Sequence, residues 1–196
     1  YFPWAKYQAS TASHSYDNMF SITYSQSNWS FLVRYRLKVK EKDNAAKSAL
    51  IYQTTHRAKL ITAYSAESWN VKMQLDMTAN KYKDSSFGYM ASLSSGYTAI
   101  KRMKIYANIG YFHTKDYNSR VYSYERGMLY DFSFPAYFGK GIRYSALTNF
   151  KMSAKLSATA KAAVTKYFNR KPIGSGLQQV DKSSLCDISM QIKWII

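Results

Sequence analysis

The sequence predicts an all-β chain, an antiparallel transmembrane β-barrel, and three observations carry that prediction. Apolar and polar residues alternate by two along most of the 196 residues, the spacing of strands with two unlike faces. The connections between the alternating segments are short and long in turn, as in barrels whose tight turns gather at one rim and whose loops gather at the other. The four tryptophans Trp4, Trp29, Trp69 and Trp194 all fall beside the short-turn rim in that layout, where an apolar ring with an N–H donor is favoured. Mean hydropathy is negative, which such a barrel tolerates because half of each strand is polar.

Residues 1–9 read as a first candidate strand, entered after Phe2-Pro3. Phe20, Ile22 and Tyr24 place a second near 17–26. In 29–42, Phe31, Val33, Tyr35, Leu37 and Val39 oppose Arg34, Arg36, Lys38 and Lys40. The stretch 55–65 is β-friendly (Leu60, Ile61, Thr62, Tyr64) but ambiguous in phase. Trp69, Val71, Met73, Leu75 and Met77 share one face of 68–80. Phe87, Tyr89, Ala91 and Leu93 do so in 87–98, and Met103, Ile105, Ala107 and Ile109 in 103–114. Further strands fall at 139–151 and, preferred over a helix because Lys155 and Lys161 keep one parity, at 154–163. Cys186, Ile188, Met190, Ile192 and Trp194 line the last, whose end sets Ile196 at the short-turn rim. Short turns are expected near 27–28, 66–67, 99–102 and 152–154, and long ones at 43–54, 81–86, 115–138 and 169–182. About nine or ten strands result, the wall of one barrel region over 1–196 and part of a larger barrel. The chain opens at Tyr1 with no signal-like segment, which reads as a mature product or a fragment. A soluble sandwich would alternate too. Strand length, a constant apolar face and turns poor in Gly and Pro favour the barrel.

Composition narrows the chemistry. One Cys allows no internal disulfide and no Cys/His zinc site, and no metal or cofactor is expected. His14, His56 and His113 are scattered without a Ser or Asp motif. Glu67 and Glu125 lack a paired carboxylate and read as surface polar groups, so no catalytic residue is assigned. Lys and Arg total 28 against 11 Asp and Glu, a formal charge of +17. The cations concentrate on the polar parity. Arg34, Arg36, Lys38, Lys40, Lys72, Lys104, Arg143, Lys151, Lys155, Lys161 and Lys193 form a basic interior wall, opposed by Asp76 and Asp187. Such a wall either attracts anions or is only the hydrated side of the barrel. No aromatic interleaves with the basic row on its own face, which weakens a base-stacking site.

The long loop 115–138 is aromatic, with Tyr117, Tyr122, Tyr124, Tyr130, Phe132, Phe134, Tyr137 and Phe138. It is expected to hold a hairpin of 120–125 with 128–134 around Arg126-Gly127. Tyr122, Tyr124, Tyr130, Phe134 and Tyr137 are the candidates for a constriction or a partner surface. Loop 169–182 carries Gly174-Ser175-Gly176, a flexible turn rather than a phosphate cradle, since no Gly-Lys-Ser/Thr follows.

Two longer strings are more specific. Asn118 through Glu125 (NSRVYSYE) and Leu129 through Gly141 (LYDFSFPAYFGKG) resemble the C-terminal barrel region of a Bacteroidota family labelled helix-hairpin-helix domain-containing, or competence-protein-like. Ile173-Gly174-Ser175-Gly176-Leu177 followed by Asp181 is similar to its last extracellular loop. The likeness covers about 118–196 in motif and 1–117 in pattern only. It implies an outer-membrane barrel larger than this chain, preceded by a signal sequence and small DNA-binding-type helices. Those helices are absent from these residues, so no nucleic-acid contact carries over. The ending Lys193-Trp194-Ile195-Ile196 departs from the usual terminal aromatic of such barrels.

The expected function is a passive channel, or a component of a transport or assembly complex, in the bacterial outer membrane, with the resemblance adding a link to DNA uptake. One alternative is a structural platform binding other outer-membrane proteins through its loops. Another is a lipid-acting barrel enzyme, the weakest of the three. The expected partners are outer-membrane lipids and lipopolysaccharide, with other outer-membrane proteins as further candidates. Nucleic acid is a candidate partner that no motif in the chain supports.

Overall fold

A computed structural model describes residues 1–131, 134–174 and 176–195. Expectations for Phe132, Ser175 and Ile196 lie outside the described residues. Nine long strands form one antiparallel sheet: β1 (Ser15–Gln26), β2 (Trp29–Asp43), β3 (Leu50–Ser65), β4 (Trp69–Tyr82), β5 (Asp84–Ile100), β6 (Met103–Thr114), β9 (Lys140–Lys151), β10 (Leu156–Tyr167) and β11 (Ser184–Trp194). Each pairs with its sequence neighbour, and β6 pairs β9 across an insertion holding the two-residue strands β7 (Val121–Tyr122) and β8 (Ala136–Tyr137). The outer edges of β1 and β11 have no strand partner among the described residues, so the sheet is not closed into a barrel.

The connections at one end are 27–28, 66–68, 101–102 and 152–155. Those at the other are 44–49, Lys83 alone, 115–139 and 168–183. The 81–86 turn was expected to be long and is instead tight: Tyr82 pairs with Asp84 around Lys83, which takes the left-handed conformation (φ 59°). The ladder continues through this polar stretch, where the paired Asn80 and Ser86 are both buried on the covered side. Residues 1–9 do not form a strand. They fold into an arm with bridges Phe2–Ser13 and Lys6–Ala9. The arm is tied to the long-loop end by the Asp43 N–H donating to Gln8 O (2.9 Å) and the Ser10 N–H donating to Asp43 Oδ1 (3.0 Å).

Residues paired in register share a face, so rows can be followed across the sheet. One row reads Tyr24, Phe31, Thr62, Met73, Leu93, Ile109, Tyr144, Val164 and Cys186, one residue from each strand. Tyr24, Phe31, Met73, Leu93, Ile109 and Tyr144 are 40–61% exposed. Among the described residues no second layer covers this outer face. Val33 (48%) and Ile192 (72%) stand open as well. The inner face is the covered one, and its buried positions include the polar Gln53, Gln74, Thr78, Asn80, Arg143 and Thr165 beside a smaller apolar set, Met90, Phe112, Leu147, Ala163 and Tyr167. The whole chain exposes 13173 Å², against about 9,500 Å² for a compact soluble monomer of its mass. The uncovered apolar outer face contributes to the excess.

Candidate functional site

What covers the inner face is the insertion between β6 and β9. Asp116 starts it with an Asx-type turn, accepting the N–H groups of Asn118 (2.9 Å) and Ser119 (3.0 Å). Burial pushes the Asp116 carboxyl up, but hydrogen bonds, led by the Ser119 N–H, outweigh it and hold it below the usual value. The segment then crosses the wall. Its hairpin differs from expectation: Val121–Tyr122 pairs with Ala136–Tyr137, not with 128–134, because apolar Val121 and Tyr137 both seek the inner shelf described next.

That shelf is a row on the inner face, Met90–Phe112–Gly141–Tyr167, contributed by β5, β6, β9 and β10. Val121, Tyr137 and Ile173 pack on it, and Phe112 lies 5.1 Å from the Tyr137 ring and 5.5 Å from Tyr167. Two glycines make room. A Cβ on Gly141 would lie 2.6 Å from the Phe112 ring. One on Gly88 would strike the Ser119 carbonyl of the covering segment. Burial and then the neighbouring Glu125 push the Tyr137 phenol well above its usual value, so it stays a neutral donor.

Beside the shelf the segment is held by charge. Arg143 Nε and Nη2 donate to Glu125 Oε1 (2.9 Å) and Oε2 (3.1 Å). Its Nη1 donates to Thr165 Oγ1 (2.8 Å) and Asp187 Oδ2 (3.1 Å). Lys161 Nζ adds a contact to Glu125 at 3.4 Å. The bidentate pair is buried on both sides, 7% and 3% exposed, and so depends on its full set of partners. Glu125, read from sequence as a surface polar group, is the buried anchor of the insertion. Farther along, Gln191 on β11 accepts the Leu129 N–H and donates to its carbonyl.

The expected basic wall can now be placed. Register puts Arg34, Arg36, Lys38, Lys40, Lys72, Lys104, Arg143, Lys151, Lys161 and Lys193 on the inner face. Lys155 is a correction: it precedes β10 in the 152–155 turn, where its carbonyl accepts the Ile195 N–H, and it is exposed. Sequence reading missed Arg57 and Lys59, because the phase of β3 was ambiguous. Their pairing opposite Arg36 and Arg34 sets them on the same wall. It also missed Arg120 and Arg126, which the insertion brings across the inner face. Asp17 pairs Arg36 (2.6 Å) and Lys38 (3.3 Å), and Asp76 pairs Lys59 (3.1 Å).

The loop aromatics divide. The Tyr122 ring lies under Arg57 (5.1 Å) and Arg120 (5.7 Å), and that of Tyr124 near Lys72 (5.7 Å). Tyr137 is buried at the shelf, whereas Tyr130 and Phe134 are exposed. Strand aromatics meet cations as well, with Lys42 over Tyr82 (4.7 Å) and Arg126 over Tyr106 (4.1 Å), but beside Arg57 and Lys72 the rings come from the insertion. Of the tryptophans, Trp29, Trp69 and Trp194 lie on the outer face at the short-turn end. Trp4 is a correction. It sits in the N-terminal arm at the opposite end, because residues 1–9 do not enter the sheet.

His56 Nδ1 lies 2.7 Å from the outer-face Tyr35 hydroxyl, and His14 beside Glu41. No cluster of His, Cys, Asp and Glu suited to a metal occurs among the described residues. No family model matches the chain, and neither a curated protein nor a solved structure is significantly similar to it.

Proposed function

We propose that this chain forms much of the wall of an outer-membrane β-barrel, acting as a passive channel whose basic lumen is narrowed by the inward-folded segment 115–139. The observation that carries the reading is the inverted polarity of the sheet. Its exposed face is apolar across all nine strands, and its covered face is charged and amide-rich outside the one apolar shelf under the insertion. Hydrocarbon is the solvent in which that arrangement is stable.

The aromatic positions support it. The row containing Trp29 reaches β11 at Ile188, the row containing Trp69 reaches it at Met190, and Trp194 lies beyond both. The three therefore drift steadily along the strands. From Trp29 to Trp194 the drift is six residues over seven strand steps, or about 20 Å along for about 34 Å across. A level girdle in a barrel with strands tilted about 30° drifts by that amount, near the tilt such barrels show. On β5, Tyr97 and Tyr89 bound a stretch of about 26 Å along the strand, comparable with an apolar band of about 25 Å.

The resemblance to the competence-protein-like family adds DNA uptake as a candidate context, and lipopolysaccharide and other outer-membrane proteins as neighbours. The platform alternative is less favoured, since Tyr122 and Tyr137 of the insertion turn to the wall, though Tyr124, Tyr130 and Phe134 are exposed.

The test is a pair of substitutions. Leu93→Arg on the outer face should cost about 2–4 kcal/mol of stability in lipid. Thr23→Arg, on the inner face at an exposed position opposite the uncharged Leu32, should cost little. Equal penalties, or a chain that is monomeric in water without detergent, would reject the barrel. Anion-selective conductance in a planar bilayer is expected, and its absence with intact insertion would reject the channel.

A further inference from the structure

The inner wall holds a second basic cluster that the described carboxylates neutralise only in part. Arg36, Lys38 and Lys40 from β2, Arg57 from β3 and Arg120 from the covering segment line a cavity of about 200 Å³. No carboxylate lines it. Asp17, paired with Arg36 and Lys38, is the nearest compensation, so five cations less one anion leave four charges in excess. Arg57 and Arg120 have no carboxylate partner among the described residues, and are held instead by Tyr122 and Tyr117. The floor is neutral and built. Gln53 Nε2 donates to Asn80 Oδ1 (3.3 Å) and Asn80 Nδ2 to Thr55 Oγ1 (2.7 Å), with Gln53 and Asn80 both buried. Arg36 and Arg57 face each other directly across the β2–β3 pair, an arrangement that costs energy unless an anion sits between like charges.

We propose that this cavity binds a diphosphate group. Guanidinium forks grip tetrahedral phosphate oxygens two at a time, and ammonium groups add point charge. A single phosphate carries up to about two charges near neutrality, and two linked phosphates, which share a bridging oxygen, about three. The linked pair therefore comes nearer to the four excess charges than a single phosphate or a single carboxylate does. The site lies on the inner face, away from the proposed lipid contact, so its ligand arrives as a free solute. This deepens the channel reading and rests on it for the route of entry.

The detergent-solubilised full chain should be titrated with inorganic pyrophosphate at constant ionic strength and followed by calorimetry. Saturable binding of one pyrophosphate per chain is expected, with orthophosphate and succinate at least tenfold weaker. Arg57→Gln and Arg120→Gln should each weaken binding at least tenfold, and Lys101→Gln, in a remote turn, should leave it unchanged. In the unsubstituted protein, pyrophosphate should protect Lys38 and Lys40, but not Lys101, from an amine-reactive label read by mass spectrometry. Absence of saturable binding, an equal loss in Lys101→Gln, or equal protection of all three lysines would overturn the proposal. Binding without conductance would defeat the channel alone, and conductance without binding would defeat this site alone.

Discussion

Two basic clusters stand on one wall and differ in what the covering segment brings to them. Around Arg143, two cations (Arg143, Lys161) meet two carboxylates (Glu125, Asp187), and one of those carboxylates comes from the insertion itself. Around Arg57, the same insertion brings another cation, Arg120, and two tyrosine rings. The first cluster spends its charge on holding the insertion down. The second keeps its charge available, at a cost in repulsion. Position on a polar face therefore does not decide what an arginine does; the partner delivered from outside the strand does.

The difference can be broken at its strongest point. Glu125→Ala takes the bidentate partner from the buried Arg143, leaving it only Thr165 and Asp187 on one nitrogen, and should cost about 3 kcal/mol. Urea unfolding in detergent would measure it, with new protease cleavage within 126–131 as the sign that the insertion has lifted. Replacing both partners, Glu125→Leu with Arg143→Met, should recover part of the loss, because the buried guanidinium is gone and only Lys161 and the exposed Asp187 lose a partner. If the single and double variants lose equally, the anchor is packing and not charge. Gly88→Val pushes a side chain into the Ser119 carbonyl and should cost about 1–3 kcal/mol by overpacking. It should loosen the insertion near its start while Glu125 and Arg143 remain paired, and cleavage mapping separates the two.

Smaller effects sharpen the contrast. Asp187 is 66% exposed, so Asp187→Asn should change stability by no more than about 1 kcal/mol. Arg57→Gln should raise stability, by about 0.2–1 kcal/mol, by removing like charges set opposite each other. A loss on Arg57→Gln comparable with that of Glu125→Ala would erase the distinction between the clusters.

The strands were legible because period two needs only neighbours along the chain. Val33, Val71, Ile105 and Ile192 took the outer face as their alternation requires. Lys83 and residues 1–9 misled, since polarity alone separates neither a tight turn from a loop nor an arm from a strand. The site was half legible. The wall cations followed from parity except Lys155, which falls one residue before its strand, and Arg57 and Lys59, whose strand lacked a clear phase. Glu125 was opaque for a different reason. Its meaning lies in Arg143, 18 positions away, on a strand reached only after the chain has crossed the inner face and returned. No local pattern encodes that crossing.

The count of strands carries a last consequence. In an antiparallel ladder of nine, the first and last strands run in the same direction, so β1 and β11 point the same way. Were they to meet, their seam would be a parallel ladder, with slanted hydrogen bonds and slightly weaker pairing per residue. Any closure that keeps every neighbour antiparallel needs an odd number of additional strands between them. Detecting cross-links between Cys-substituted positions on β1 and β11 would distinguish a seam from an interposed strand.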